Sequence, residues 1–213
     1  MHLRSLLISF SVLAAATPIL SPRSDTNTYN ITTDQILSIA PNSSTCANPP
    51  AVGECATAEQ AAPAISASFS TYSVDSRAEQ AALVALMAFE TLDFRYNRNH
   101  FPGVAGQGTR NMQSPTYNDK YAASIPALSE QYASATGNVT AILDLLVADD
   151  SYDFGSAAWF LTTQCSDSVR AELQQGSESG WEGYITSCVG TTVTDERKDY
   201  WLKAVDVLGV GSE

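Results

Sequence analysis

The chain has 213 residues, with 11 Lys and Arg against 23 Asp and Glu, for a formal net charge of −12. So acidic a protein repels nucleic-acid phosphates, which excludes nucleic acid as a partner. The charge says little about fold, but the length suits one domain with a core of its own.

Residues 1–16 carry His2 and Arg4, then an apolar run from Leu6 to Leu13, then Ala14-Ala15-Ala16. This is the pattern of a secretory signal peptide, with the mature chain starting near Thr17. The apolar run is too short to cross a bilayer, which takes about 20 residues, and no membrane is expected as a partner. The expected product is a secreted, extracellular monomer. Residues 17–54 read as an N-terminal lead-in. Ser, Thr, Asn and Pro dominate up to residue 31, Thr32-x-x-Gln35 has the spacing of a capping box that opens a short helix, and Asn42 to Glu54 is a loop. Sequons at Asn30, Asn42 and Asn138 are expected glycosylation sites and so exposed, and Asn138 also suits a helix N-cap.

Four cysteines, Cys46, Cys55, Cys165 and Cys188, form an even set that reads as two disulfides in an exported protein. Sequence admits every pairing, but short local loops close most easily, which favours Cys46–Cys55 and Cys165–Cys188. No Cys-x-x-Cys pair is present and the histidines are His2 and His100, so no metal site is expected.

Residues 55–213 form the main domain, and helical signals dominate it. Thr57-Ala58-Glu59-Gln60 is a capping box for a helix to about Tyr72, with Pro63 expected to bend it. Ser76-Arg77-Ala78-Glu79 caps the next. Its body, Ala81 to Phe89, is apolar on every side, so that helix runs buried through the centre and ends on Glu90. Residues 94–118 hold Gly103, Gly106, Gly108, Pro102 and Pro115, the chemistry of a loop or small β-hairpin. Further helices are expected over 125–134, 138–148, 154–164, 167–175, 178–188 and 194–208. The expected class is a predominantly helical α+β domain.

A carboxylate after nine apolar helical residues is a candidate general acid, because burial raises a carboxyl pKa. The alternative is a helix-terminal Glu that points to water. Gly106-x-Gly108 lacks the third glycine and preceding strand of a nucleotide motif, G-x-S-x-G is absent, and no cofactor is expected.

The run from Glu90 through Phe94, Asn97 and the glycine-rich segment to Met112-Gln113 resembles the goose-type lysozyme and lytic transglycosylase branch of the lysozyme superfamily. It also resembles the catalytic domain of secreted fungal muramidases, as does Asp153-Phe154-Gly155 through Gln164-Cys165. The spacing is longer than the bacterial pattern, and Thr109-Arg110-Asn111 intrudes before Met112. The resemblance implies a lysozyme-like fold and cleavage of bacterial peptidoglycan, with Glu90 as the acid. It places Gly108, Met112 and Gln113 on the substrate cleft. Chitin or another aminosugar polymer is the alternative substrate, and a non-catalytic secreted glycan-binding effector the alternative class.

Two-carboxylate glycosidases need a partner for the acid. No Asp or Glu lies between Asp93 and Asp119, so Asp93 and Asp153 are the candidates, ahead of Asp149 and Asp150. Each has an ordinary use as a loop or helix cap. Arg95, Arg98, His100 and Arg110 form a cationic cluster that suits an anionic polymer, unless acids elsewhere pair with them. Tyr96 and Tyr117, with Gln107 and Arg110, complete the candidate substrate contacts, while Trp159 and Trp181 read as core.

Overall fold

A computed structural model describes residues 30–211. The signal pattern and the start near Thr17 lie outside the described residues.

Among the described residues eleven α-helices follow one another, starting with α1 (Thr33–Ile39), α2 (Ala58–Thr71) and α3 (Arg77–Glu90). The Thr32 box forms, with the Gln35 amide nitrogen donating to Thr32 Oγ1 at 3.2 Å and the Thr32 N–H to Gln35 Oε1 at 2.9 Å. Ile36 and Ile39 of α1 are fully buried, which joins this helix to the main core. Pro63 lies inside α2, which continues through it. The box expected at Ser76 and Glu79 does not form. Glu79 instead turns inward and pairs with Arg170 at 2.8 Å. Every residue of α3 from Ala78 to Ala88 is buried, as an all-round apolar helix requires.

The chain continues with α4 (Pro115–Ala123), α5 (Ser129–Ala135), α6 (Val139–Val147), α7 (Asp150–Asp153) and α8 (Gly155–Gln164). Helix α4 begins inside the stretch expected to be loop, because Ser114 takes the N-cap and Pro115 the first helical position, where proline lacks nothing. Asp153 does not cap α8: it is the last residue of α7, whose N-cap Asp149 accepts from the Ser151 N–H at 2.8 Å, and α8 follows from Phe154 without a side-chain cap. Asn138 caps α6, accepting from Ala141 N–H at 3.1 Å. Asn30, Asn42 and Asn138 are all exposed.

The last third holds α9 (Asp167–Leu173), α10 (Glu178–Gly183) and α11 (Asp195–Leu208). Past Gly183 the expected single helix widens into a π-helical segment, Tyr184–Val189, that ends on Gly190 at φ +77°. The disulfides are Cys46–Cys55 and Cys165–Cys188, the pairing that short loops favour. Two apolar clusters form the interior. One surrounds α3, where α11 lies against it and Trp181 stacks on Trp201 at 4.8 Å. The other gathers Tyr121, Ile142, Leu146, Trp159 and Phe160 between α4, α6 and α8. Each fully buried side chain of this size contributes roughly 1.5–3 kcal/mol.

Among the described residues the β content is two isolated bridges, Arg98 with Gly108 and Gly108 with Gln113. The fold is therefore predominantly helical, and the segment expected as a hairpin or glycine-rich loop is the loop.

Candidate functional site

Helix α3 delivers Glu90 to the surface and the chain then reverses abruptly. Leu92, Asp93 and Phe94 adopt φ of +54°, +60° and +63°, a left-handed turn built from non-glycine residues. Such a conformation costs roughly 1–2 kcal/mol per residue, so other contacts must hold it. They are near at hand. Thr91 Oγ1 donates to Met87 O at 2.6 Å and accepts from Phe94 N–H at 3.0 Å, and Asp93 N–H donates to Ala88 O at 2.8 Å.

Loop 95–114 then rests on three buried polar posts. Glu54 accepts from the N–H groups of Asn97 and Arg98 at 3.1 and 3.2 Å and pairs with His100 at 2.8 Å. Arg110 pairs with Asp153 at 2.8 Å and donates to Phe94 O and Tyr96 O, with its guanidinium over the Phe154 ring. Gln113 donates to Asn118 Oδ1 at 2.7 Å, and Asn118 donates to Gly106 O at 2.8 Å. Gly108 sits where a Cβ would lie 2.5 Å from Asn97 O, so the loop can approach itself here only through glycine.

Between this loop and the ends of α3 and α11 runs a groove in two halves, about 330 and 350 Å³, which share Glu90, Gln107 and Met112. The first half is rich in hydrogen-bonding groups, among them Asn111, Gln113, Tyr117, Thr191 and Arg197. The second is walled mainly by Phe89, Leu92, Tyr96 and Phe101, with Arg98, Asn99 and His100 along one side. At their junction Glu90 Oε1 accepts from Arg197 Nη1 at 2.5 Å, with both side chains less than a fifth exposed and Arg197 lying over the Phe89 ring. The placement has an electrostatic logic. Glu90 ends one helix where its own carbonyl pole disfavours an anion, but it faces the amide pole of α11. Arg197, in the first turn of α11, gains the converse at the end of α3.

The structure thus brings Glu90, Tyr96, Gln107, Met112, Gln113 and Tyr117 to one groove. Gly108 lies beneath it. Arg110 is 2% exposed and serves the loop from within, so it is not a substrate contact. Asp153 is buried with it and lines neither half of the groove. Burial pushes the Asp153 carboxyl from 3.8 up to about 6, which Arg110 and the Asn97 amide only partly offset. Asp93 is buried too, accepting from Asn42 N–H at 2.9 Å and from Tyr200 Oη at 2.7 Å, and it lines a separate pocket with Asp199 and Lys203. Burial, then that bond, raise the Tyr200 phenol above its usual value. Neither aspartate stands opposite Glu90 in the groove as a partner carboxylate would. Nor is Glu90 isolated in an apolar pocket, since Arg197 holds it. The cationic cluster is likewise engaged: Arg98 pairs with Asp144 at 2.7 Å, His100 with Glu54, Arg110 with Asp153, and Arg95 donates to Asn48 O at 3.2 Å.

Sequence reasoning missed Arg197, Phe89, Phe160, Val189, Gly190 and Thr191 as groove residues. For Arg197 a signal existed, because an arginine in the first turn of a helix is locally unfavourable and calls for an anion nearby. Among the described residues no group of three or more His, Cys, Asp or Glu side chains could hold a metal ion.

Over 158 residues the chain is 44% identical to a bifunctional dioxygenase (DOX)–epoxy alcohol synthase (EAS) of Fusarium oxysporum (strain Fo5176). The match covers 71% of this chain and 12% of that protein, so the chain spans about an eighth of the relative's length. No family model matches the chain. No solved structure matches it either. The muramidase resemblance is corrected by this finding: the relative is named for oxygenation and not for glycan cleavage. With it go the glycosidase class, peptidoglycan or chitin as substrate, the glycan-binding alternative and the catalytic role of Glu90 that the resemblance carried.

Proposed function

We propose that the chain is a binding module for an amphiphilic oxygenated molecule of the epoxy alcohol class, allied to the dioxygenase and epoxy alcohol synthase activities of its relative. The observation that carries this reading is the asymmetry of the groove, richer in hydrogen-bonding groups in one half and in aromatic walls in the other, about the Glu90–Arg197 pair. The oxygen-bearing part of the ligand occupies the polar half, within reach of Arg197, Gln107 and Asn111. Its hydrocarbon lies along Phe89, Leu92 and Phe101. Sites of this kind combine an apolar wall with a few placed polar groups.

Activation of dioxygen is cofactor or metal chemistry. The described residues do not fit a metal of that kind: His100 is engaged with Glu54, and both cysteine pairs are closed as disulfides. No oxidative step is assigned to this chain. Most of the relative lies outside the match, and its two named activities need not reside in the shared part. Export is part of the same proposal, supported by the two disulfides.

Calorimetric titration tests it. A long-chain epoxy alcohol should bind saturably at one site, about tenfold more tightly than the same chain without oxygen substituents, a difference of the size that one charge-assisted hydrogen bond supplies. Arg197→Gln should remove that preference. Absence of saturable binding, or equal affinity for the unoxygenated chain, overturns the reading.

A further inference from the structure

Resting on the amphiphile reading of the groove, we infer that its aromatic rim is a docking surface for a lipid–water interface, from which the groove is loaded. Phe101 is 83% exposed, Leu92 53% and Val104 42%, and these three stand on one loop. Leu92 and Phe101 are also walls of the aromatic half of the groove, so the exposed apolar patch and the ligand site are continuous. Val52, 95% exposed, stands on the Cys46–Cys55 disulfide loop, which is tied to the same segment by the Arg95 bond to Asn48 O and by Glu54. Large apolar side chains exposed singly are ordinary on protein surfaces, but their gathering at the mouth of a cavity marks a contact surface.

The tip is held out rather than collapsed. Asn99 Oδ1 accepts from the N–H groups of Gly103 and Val104 at 2.8 and 3.1 Å, and Gly103, at φ +87°, turns the chain between them. Charge favours the same occupant. The protein carries −12, yet residues 94–118 contain no Asp or Glu and their cations balance the Asp144, Glu54 and Asp153 packed against them, so an anionic amphiphile surface is repelled less here than by the acidic remainder of the chain. No helix among the described residues is long and apolar enough to cross a membrane, and peripheral contact does not need one. A molecule with a long hydrocarbon resides in aggregates, so a groove that takes it gains by touching the aggregate with the same apolar walls that lead inward.

The test uses the whole protein and vesicles of phosphatidylcholine with a minor fraction of phosphatidylglycerol, read by co-sedimentation. Wild type should partition onto them. Phe101→Ser with Val104→Ser should weaken partition about tenfold, the loss expected for withdrawing exposed apolar side chains from lipid, with an unchanged melting midpoint. Arg197→Gln should leave partition unchanged while losing the preference for the oxygenated ligand, which separates the surface from the groove. A wild type that fails to partition, or a double variant that partitions equally, overturns the docking surface, and retained titration of a soluble short-chain epoxy alcohol leaves the groove reading standing. Concentration-dependent dimerisation abolished by the double variant, without vesicle binding, also overturns it and assigns the patch to a second copy of the chain.

Discussion

Helices α2, α3, α8 and α11 and the loop from Thr91 to Ser114 build their interiors by opposite means. The helical body excludes water with aliphatic and aromatic side chains, and α3 is its apolar axis. The loop excludes water around charge: Glu54, Asp153, Arg110, Asn97, Gln113 and Asn118 are all buried beneath it, and its backbone departs from α3 through a left-handed turn. Apolar packing tolerates small adjustments. A buried charged post does not, because removal of one partner strands the other. The groove lies on the seam between the two, so the rigid body supplies Phe89 and Glu90 and the posted loop supplies Gln107 and Met112.

The largest effect is expected at the post under the loop. Arg110→Met strands Asp153 and removes the bonds to Phe94 O and Tyr96 O, and should cost roughly 3–5 kcal/mol in urea unfolding, with amide exchange accelerated first in residues 91–114. Met87→Ala, in the middle of α3, should cost about 3 kcal/mol but lower protection throughout. If exchange in the two variants rises with the same pattern, loop and body are one cooperative unit and the contrast fails.

Titration sharpens the same contrast. The folded Asp153 holds its proton up to about pH 6 whereas the unfolded group releases it near 3.8, so the folded state binds more protons across that window. Stability from this group is therefore full below the lower value and declines as pH rises through the upper one, by on the order of 3 kcal/mol. The difference between the wild-type and Asp153→Asn pH profiles isolates it, and a flat difference profile would refute the assignment. Gly108→Ala, which drives a Cβ against Asn97 O, should cost about 2 kcal/mol and weaken ligand titration with it. The smallest change runs the other way: Leu92→Gly relieves one left-handed residue at an exposed site and should raise the melting midpoint slightly, by about 1 kcal/mol of stability or less.

The same division explains what could be read beforehand. Apolar runs, caps and short cysteine loops are local signals, and they located α1, α3, α6, α8, α11 and both disulfides. Helix α4 escaped because the glycine-rich segment before it masked Ser114-Pro115 as a helix start. In the site, Glu90 and the loop residues were legible as a neighbourhood. Their chemistry was not, since Glu90 depends on Arg197 and the cations of the loop depend on Glu54, Asp144 and Asp153, all distant in sequence. A family resemblance read from Glu90 to Gln113 could not see those partners, and it pointed to the wrong chemistry.

Glu90 and Arg197 meet across 107 positions, as do Asp93 and Tyr200. Both ties of the α3 terminus therefore depend on α11, far away in the chain. The loop's ion pairs draw on Glu54, Asp144 and Asp153 alone, whereas the groove gains Arg197, and Phe89 its cover, only from α11. Docking of α11 therefore closes both long-range ties and raises the groove's last wall in one step.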